Sequence, residues 1–401
     1  MDMDMNILFV THRNVDPLIG GIERVTYDLA TELVQRGVSC YSAYLEVFER
    51  ESDVVNVFSD SKRISKDNVC GDFHSLICER HIHFVIVQGS DENVTSIIRD
   101  VSEAVRSAGF CKLIFMFHNM PGFEFTKANV KVLLHRILNG RNLIYNLKYL
   151  LFQIFGAVAQ KAIRSKIEKK YKVPYQLSDK VVVLTGKFRE KYAQYANVQC
   201  DDKICSIPNI LPYKQKYDMG RGEKQKEVLW VGRFDDRHKR LSLALEAWRR
   251  IENEFPDWVF RIVGYGEDED YYRAYVKSSN LRNVRFEGLK DPYPYYGRAS
   301  VFMMTSAFEG FGMVLLEALS MGAVPVAFDS FEPLHDMVED GVNGFIVGDG
   351  RMDDYCSRLR TLMSNQDLRE TMSRKGVQMV DRFSAESVVP KWMELFESLA
   401  E

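Results

Sequence analysis

Ala307-Phe-Glu-Gly-Phe-Gly-Met-Val-Leu-Leu-Glu-Ala-Leu-Ser-Met321 is the stretch from which the fold can be predicted. It follows an apolar run over residues 299–304 that is typical of a strand, and its glycines give way to helix-forming residues. The pattern predicts a strand, a tight loop and the N-terminus of a helix. A turn of this kind directs backbone N–H groups and the positive end of a helix dipole at one point, where a phosphate is stabilised.

Two glutamates lie in this stretch. Glu309 stands in the loop, and Glu317 follows eight residues later in the predicted helix. We expect Glu309 to face the reacting group of a ligand and Glu317 to reach hydroxyls further along it. An isolated glutamate is usually an exposed surface residue, so this interpretation depends on the complete string.

The string Glu-Gly-Phe-Gly-x-x-x-x-Glu-Ala, from Glu309 onwards, resembles the donor-site signature of family-4 retaining nucleotide-sugar glycosyltransferases. The resemblance implies an α/β chain with the GT-B fold, in which two Rossmann-like domains face each other and a C-terminal helix crosses back to the first. It covers nearly the whole chain, most strongly residues 227–347 and most weakly residues 46–180.

Length and composition agree with two cytosolic domains. A chain of 401 residues with 46% apolar residues can fill about two cores. The formal net charge of −3 gives no general affinity for polyanions. Seven cysteines show no C-x-x-C pair and no metal-ligand spacing, so we expect reduced thiols. The acidic N-terminus does not resemble a signal peptide.

Strand-like runs alternate with helical patterns along the chain, as in parallel sheets with crossover helices. Together with the resemblance, this alternation predicts three parts. They are an N-terminal acceptor-binding Rossmann-like domain over 1–210, a C-terminal nucleotide-sugar donor-binding Rossmann-like domain over 226–383, and a helix over 384–401 that packs back on the first domain.

The first domain has two candidate positions. Gly20 and Gly21 lie between the first predicted strand and helix, where a doubly wound sheet opens its ligand crevice. Turns need glycine for other reasons too, but the family has a Gly-Gly loop here that closes over the donor diphosphate. His118 ends a later strand at the same sheet edge. The family places a histidine there beside the transferred sugar, and a purely structural histidine is the alternative.

Two cations flank the first loop of the second domain. Arg233 follows the strand over 227–231, and Lys239 lies six residues later, before a helical stripe. They can neutralise a diphosphate whose charge grows as the sugar departs, and the pair resembles the family's second signature. The family usually has glycine directly after this lysine, whereas this chain has Arg240, which leaves the reach of Lys239 open.

Further donor positions follow from the resemblance. The Gly264-Tyr-Gly266 turn implies a close approach of the nucleotide to the backbone, and Lys290 lies where the family reads the base. The expected catalytic residues are Glu309, Arg233, Lys239 and His118, and the expected donor-binding residues are Gly20, Gly21, Gly264, Gly266, Lys290, Gly312, Met313, Val314 and Glu317.

Residues 125–173 form a basic segment. They carry eleven Lys or Arg against the single acid Glu168, a formal charge of +10 that leaves −13 for the rest of the chain. Leucine, isoleucine and aromatic residues lie between the cations, which suits an anionic membrane surface. The alternative is a pair of ordinary helices with a solvated basic face. A nucleic-acid surface is not expected, because no recognised motif accompanies the charge.

The sequence therefore predicts a retaining, metal-independent glycosyltransferase that moves a sugar from a nucleoside diphosphate donor to a hydroxyl of a glycan or lipid-linked acceptor. It predicts no bound cofactor, and a cytoplasmic location at or near the inner face of a membrane. A nucleotide-sugar epimerase of the same fold and a non-catalytic, membrane-associated sugar-nucleotide binding protein are the alternatives. Whether Glu309 polarises the donor or attacks it as a nucleophile stays open.

Overall fold

The computed structural model describes residues 5–17, 20–48, 56–89, 92–126, 130–138, 146–147, 150, 156–211 and 224–401. The strands in these residues are β1 (Asn6–Arg13), β2 (Ser39–Glu46), β3 (Asp60–Arg63), β4 (Phe84–Gly89), β5 (Lys112–Phe117), β6 (Lys180–Val183), β7 (Ile204–Ser206), β8 (Gln225–Val231), β9 (Val259–Val263), β10 (Val284–Gly288), β11 (Ala299–Met304), β12 (Val324–Asp329) and β13 (Phe345–Gly348).

The α-helices are α1 (Gly21–Val34), α2 (Val69–Glu79), α3 (Glu92–Ala108), α4 (Val130–Leu138), α5 (Gly156–Leu177), α6 (Lys187–Ala196), α7 (Leu241–Ile251), α8 (Glu269–Ser278), α9 (Tyr293–Arg298), α10 (Met313–Ser320), α11 (Leu334–Met337), α12 (Met352–Ser364), α13 (Gln366–Met379) and α14 (Ala385–Ala400). Short 3₁₀ segments are formed by Phe123–Phe125, Glu252–Glu254 and Val380–Phe383.

The chain divides into two compact units. Unit 1 comprises Met1–Pro121, Ile163–Pro212 and Arg382–Glu401, and unit 2 comprises Gly122–Ala162 and Tyr213–Asp381. Each unit contains one parallel sheet, in the order β3-β2-β1-β4-β5-β6-β7 in unit 1 and β10-β9-β8-β11-β12-β13 in unit 2. Both orders start near the middle, grow in one direction and then in the other, as in doubly wound sheets. The predicted α/β class with two Rossmann-like domains is confirmed.

The apolar runs of the sequence become the inner strands because both faces of a parallel sheet are covered. All six residues of β11 are buried. In unit 2, α7 packs its apolar stripe into the core, where Leu241, Leu245 and Trp248 are fully buried. The loops that follow these strands are thus attached to a well-packed core.

The C-terminal helix belongs to unit 1, as expected. The backbone N–H of Leu211 donates to the carbonyl oxygen of Phe383 over 2.8 Å where the chain returns. The rings of Phe84 and Phe396 lie 4.7 Å apart, and Trp392 is buried. The last helix therefore closes the core of the unit in which the chain begins.

The division of the chain differs from the predicted boundaries at one place. The prediction assigned all of 1–210 to the first domain, whereas residues 122–162 group with unit 2. The reason is a set of contacts in which Arg136 pairs with Asp235 and Asp268 of unit 2. Residues 212–223, which make up most of the interval between the two predicted domains, lie outside the described residues.

The basic segment is described only in part, since residues 127–129, 139–145, 148–149 and 151–155 lie outside the described residues. Within the described part, Arg136 is 12% exposed and ion-paired, so its charge does not face solvent as the prediction assumed. Lys172 pairs with Glu168 at 3.5 Å. Across the part of the chain that is described, no helix is long and apolar enough to cross a bilayer.

Candidate functional site

The loops after β8, β9, β10 and β11 meet at one edge of the sheet of unit 2, because parallel strands end on the same side. Chain order reverses between the neighbouring strands β8 and β11, so this edge contains a topological switch point. The loops carry Arg233 and Lys239 after β8, Gly264 and Gly266 after β9, Lys290 after β10, and Glu309 and Gly312 after β11. The fold thus collects the predicted donor residues of unit 2 at one edge.

A buried carboxylate, that of Glu309, lies beside two side chains of the loop after β8. Lys239 Nζ donates to Glu309 Oε1 over 2.6 Å, and His238 Nε2 lies 3.5 Å from Oε2 without a hydrogen bond to it. Burial would raise the pKa of this carboxyl, but the charges of Lys239 and His238 outweigh it and hold the pKa well below its usual range. Glu309 is therefore a carboxylate at neutral pH.

His238 is a site residue that the sequence interpretation missed. Its ring stacks on Phe308 at a centroid distance of 4.4 Å and an interplanar angle of 10°. Its carbonyl oxygen accepts from the backbone N–H of Ala307 over 2.7 Å. The one signal in the sequence is its place directly before Lys239, but a single histidine in a charged loop predicts no particular contact. The structure shows that it contacts the two residues that directly precede Glu309 in the loop.

Arg233 stands apart from the pair formed by Lys239 and Glu309. Its side chain is 65% exposed, and its Nη2 lies 3.6 Å from the carboxylate of Asp235. Lys239, by contrast, is 14% exposed. The two predicted cations therefore differ, since Lys239 is bonded to a buried carboxylate, whereas Arg233 is exposed and lies beside Asp235.

The start of α7 is held by a buried carboxylate in the same loop. Asp236 accepts from the backbone N–H and from the hydroxyl of Ser242, each over 2.9 Å, and from the hydroxyl of Tyr272 over 3.0 Å. Burial raises the pKa of Asp236, and these donors act against that rise. The loop that carries Lys239 is thus held by the bonds of Asp236 to Ser242 and Tyr272.

Gly264 and Gly266 have positive φ angles of 145° and 157°. A Cβ on Gly264 would lie 1.9 Å from the carbonyl oxygen of Gly232, and one on Gly266 would lie 2.5 Å from that of Phe234. The resemblance implied room for a nucleotide. The protein's own backbone already requires both glycines, because the loops after β8 and β9 touch here.

The helix predicted from the opening stretch is α10. Gly312 precedes it with a φ of 95°, and Met313 and Val314 form its first turn. The first N–H groups of any α-helix lack partners within the helix and point outward, so those of Met313 and Val314 can meet an anion. Glu317 is fully buried on the same helix.

Lys290 lies on the surface beyond β10. Its side chain is 55% exposed and its Nζ lies 3.5 Å from Glu287 Oε2. Contact with Tyr295, and then with Glu287, raises the pKa of Lys290. Its role in reading a base stays a prediction.

Residues that follow β5 in the sequence also pack against this part of unit 2. The ring of Phe123 lies 5.5 Å from that of Phe308, the residue that stacks on His238. Arg136 of α4 donates from Nε and Nη2 to the two carboxylate oxygens of Asp268 over 2.7 and 2.6 Å. No local sequence pattern indicates this packing, since the partners are more than a hundred residues apart.

Unit 1 contains the remaining candidates. Gly20 caps α1 and Gly21 is its first residue, so both lie at the first strand-to-helix turn as predicted. His118 follows β5 and is buried, with its Nε2 at the Oε1 oxygen of Gln88. That oxygen can only accept, so Nε2 carries the proton and Nδ1 is the acceptor of a neutral ring. Burial lowers the pKa of His118 to about 3.

This low pKa makes a prediction about stability in acid. The unfolded chain binds a proton at His118 below pH 6.5, and the folded chain does not until about pH 3. The contribution of His118 to the free energy of unfolding is therefore fully present above pH 6.5 and is lost as the pH falls. The loss is at most about 1.4 kcal/mol per pH unit. Urea unfolding of wild type and His118→Gln between pH 7 and 4.5 should give curves that converge on acidification. Parallel curves would show that His118 keeps an ordinary pKa.

Comparison with known proteins gives a family match within unit 2. Residues 214–379 match the family model described as Glycosyl transferases group 1. The match includes the loops that carry Arg233, Lys239 and Glu309.

Two curated relatives are similar over about half of the chain. An uncharacterized glycosyltransferase of Haemophilus influenzae is 27% identical over 216 residues, which are 53% of this chain and 60% of that protein. The amylovoran biosynthesis glycosyltransferase AmsD of Erwinia amylovora is 25% identical over 228 residues, 55% of this chain and 63% of that protein. The matched regions therefore span less than two thirds of either relative.

Among solved structures, HepE of Anabaena in complex with UDP and glucose superimposes with a TM-score of 0.74 at 14% identity, covering 98% of this chain and all of that one. Such low identity supports a statement about fold alone. With its two parallel-sheet units and its returning C-terminal helix, the chain has the GT-B fold.

Proposed function

We propose that the chain is a retaining glycosyltransferase that moves a sugar from a nucleoside diphosphate donor to a hydroxyl of a glycan or lipid-linked acceptor, in cell-surface polysaccharide synthesis. The observation that carries the proposal is the buried Glu309 carboxylate, which is bonded to Lys239 and lies beside His238 at the strand switch point. An ionised carboxylate next to a helix N-terminus offers both signs of charge within one cleft, which suits a sugar that becomes positive as a diphosphate leaves.

The diphosphate is the group on which the cations act in this proposal. Lys239, Arg233 and the first N–H groups of α10 neutralise the charge that grows as the bond to the sugar breaks. Lys239 reaches the phosphates by sharing its three donors between them and Glu309. Arg233, already facing solvent, closes on the donor from outside. No metal ion is needed for this neutralisation.

Glu309 and Glu317 take different parts of the donor. Glu309 stays anionic and stabilises the positive charge that develops on the sugar ring. Glu317 holds the ribose hydroxyls, a contact made equally before and during the reaction. In unit 1, the neutral His118 offers its Nδ1 acceptor to a sugar hydroxyl, and Gly20 and Gly21 leave room for the diphosphate and the acceptor.

The relatives support the class of donor and the process. The name of AmsD places that protein in the synthesis of the polysaccharide amylovoran. HepE was solved with UDP and glucose bound. UDP-linked hexoses are therefore the first donors to test.

A thermal-shift screen tests donor binding. A ligand at a hundred times its Kd stabilises the folded state by about 2.7 kcal/mol, so one of UDP-glucose, UDP-galactose, UDP-N-acetylglucosamine and GDP-mannose should raise the melting temperature by several degrees. The shift should persist in excess EDTA, and the parent nucleoside without its diphosphate should give less than half of it. The proposal fails if no nucleotide sugar raises the melting temperature.

A second proposal is that the protein acts at the surface of an anionic membrane. Val130, Leu134 and Leu138 of α4 are 47%, 44% and 85% exposed, and their spacing of four puts them on one face of the helix. Lys131 on α4 is an exposed cation next to Val130, and the same basic segment of the sequence contains the exposed Arg164 and Lys169 on α5. An exposed apolar stripe beside cations suits shallow insertion among anionic headgroups.

Vesicle sedimentation checks this proposal. Each cation near the leaflet adds about 1 kcal/mol, and salt screens the attraction within roughly 10 Å at 0.1 M. The protein should therefore sediment with phosphatidylglycerol vesicles at low salt, detach as salt rises, and ignore phosphatidylcholine vesicles. Leu134→Ser with Leu138→Ser should weaken binding at least about tenfold, and reversing Lys166, Lys169 and Lys170 to Glu should abolish it. Val47→Ser, at a residue 46% exposed elsewhere, is the matched control. Failure of the wild type to bind at low salt would leave a solvated basic face.

A further inference from the structure

Arg240 occupies a backbone position that favours glycine. Its φ and ψ angles are 48° and 46°, in the left-handed region. A residue with a Cβ pays about 1–2 kcal/mol to stay there. The backbone therefore follows the path that a glycine after Lys239 would take, and the contacts of the arginine side chain must offset the strain.

Those contacts bind the guanidinium to three separate pieces of chain. Its Nε donates to the carbonyl oxygen of Thr305 over 2.6 Å and its Nη2 to that of Ser306 over 2.7 Å. Nη2 and Nη1 also donate to the two carboxylate oxygens of Asp349 over 2.7 and 3.2 Å. The guanidinium carbon Cζ lies over the ring of Phe328, 5.6 Å from the ring centroid. The side chain is 15% exposed, and charge-assisted bonds of this kind are among the stronger ones in proteins.

The two carbonyls lie where β11 ends and the loop to Glu309 begins. The same short piece of chain is already joined to the loop after β8, since the hydroxyl of Thr305 donates to the carbonyl oxygen of Lys239 over 3.0 Å. The side chain of Arg240 thus binds the start of the loop after β11, while its own backbone forms the end of the loop after β8. The distance between Lys239 and Glu309 depends on how these two loops are held.

We propose that Arg240 is a positioning residue for the transfer: it holds Lys239 and Glu309 at their working distance through the main chain of residues 305–306 and Asp349. This inference rests on the proposed glycosyl transfer. The alternative is that Arg240 binds a donor phosphate directly. The two differ in what Asp349 does, because Asp349 supports a positioning arginine and competes with a phosphate for a binding arginine.

Kinetics of Arg240→Gly, Arg240→Lys and Asp349→Asn separate the two. Glycine accepts the backbone angles without strain, so Arg240→Gly removes the side-chain contacts alone. We expect its kcat to fall about tenfold or more with donor KM changed less than about threefold. Arg240→Lys should not restore kcat, because a point charge cannot bond to two carbonyls and a carboxylate at once. Asp349→Asn should lower kcat in the same direction by a smaller factor.

Arg360→Ala is the control. Arg360 also binds one carboxylate through two bonds of 2.7 Å, to Glu254, on the surface of unit 2, and its loss should leave kcat unchanged. Wild-type kcat in Arg240→Gly overturns the inference. So does a loss confined to donor KM, or an Asp349→Asn variant that binds donor more tightly. If Arg240→Gly does not fold, Asp349→Asn decides, because it keeps the arginine and its backbone.

Failure of the proposed function is a separate result. A wild type that transfers no sugar refutes the glycosyltransferase, and crystal structures of wild type and Arg240→Gly then test the positioning. The inference predicts that the 2.6 Å contact between Lys239 Nζ and Glu309 Oε1 is lost or spread over several conformers in the variant. An unchanged contact refutes it.

Discussion

Glu309→Gln should lower the kcat of sugar transfer about 10²- to 10³-fold, the range seen when one preorganised electrostatic group is removed from an active site. Glutamine keeps the size of the side chain and an oxygen that accepts from Lys239, so the packing of this buried position is retained. What disappears is the negative charge beside the reacting sugar. A charge that acts mainly in the transition state changes kcat, and donor KM should change by less than about threefold.

Steady-state kinetics with a saturating acceptor measure this effect. Glu254→Gln is the matched control, since Glu254 is a surface glutamate paired with an arginine and its neutralisation should leave kcat within about twofold. Circular dichroism and melting temperature establish that both variants are folded. A Glu309→Gln variant with wild-type kcat, or with its whole loss in donor KM, would contradict the assigned role.

Gly264→Ala should destabilise unit 2 by about 3 kcal/mol or more, the size expected when a side chain is forced against backbone in a conformation available to glycine alone. The added Cβ would lie 1.9 Å from the carbonyl oxygen of Gly232, and no rotamer change can relieve a clash with main chain. The loops after β8 and β9 must therefore separate, and Arg233 and Lys239 would move with them.

Urea unfolding of wild type and variant measures the change in the free energy of unfolding. Gly350→Ala is the control, because Gly350 has a φ of 79° and no neighbouring atom within 4 Å of its added Cβ. It should cost only about 1–2 kcal/mol from the left-handed backbone. Equal losses in the free energy of unfolding of the two variants would mean that the added methyl group at position 264 does not clash with the main chain of the loop after β8.

The fold could be predicted because its signals are local. Apolar runs such as β11 and the helical stripe of α7 each fit within about a dozen residues, and parallel strands must end on one edge. Glu309, Lys239 and Gly312 follow from that edge and from the spacing of the motifs. The structure adds that Lys239 and Glu309 are bonded to each other, which spacing alone does not state.

The rest depended on contacts between distant residues. His238 was missed because its partner Phe308 lies seventy residues away. The contact of α4 with the rest of unit 2 depends on Arg136 and Asp268, which are 132 residues apart. An amphipathic pattern shows that a helix has an apolar face and leaves open which surface covers it. The role of Gly264 towards a nucleotide stays a prediction, since a glycine pattern does not distinguish a ligand from the protein's own backbone.

The most direct test of the proposed activity is the fate of the donor. The purified chain is incubated with each nucleotide sugar, with and without an octyl glycoside as hydroxyl acceptor, and the products are followed by proton NMR. Glycosyl transfer predicts that nucleoside diphosphate is released faster when the acceptor is present, and that the transferred sugar keeps the anomeric configuration of the donor. An epimerised donor formed without acceptor, a product of inverted configuration, or a donor that binds and is never consumed would contradict it.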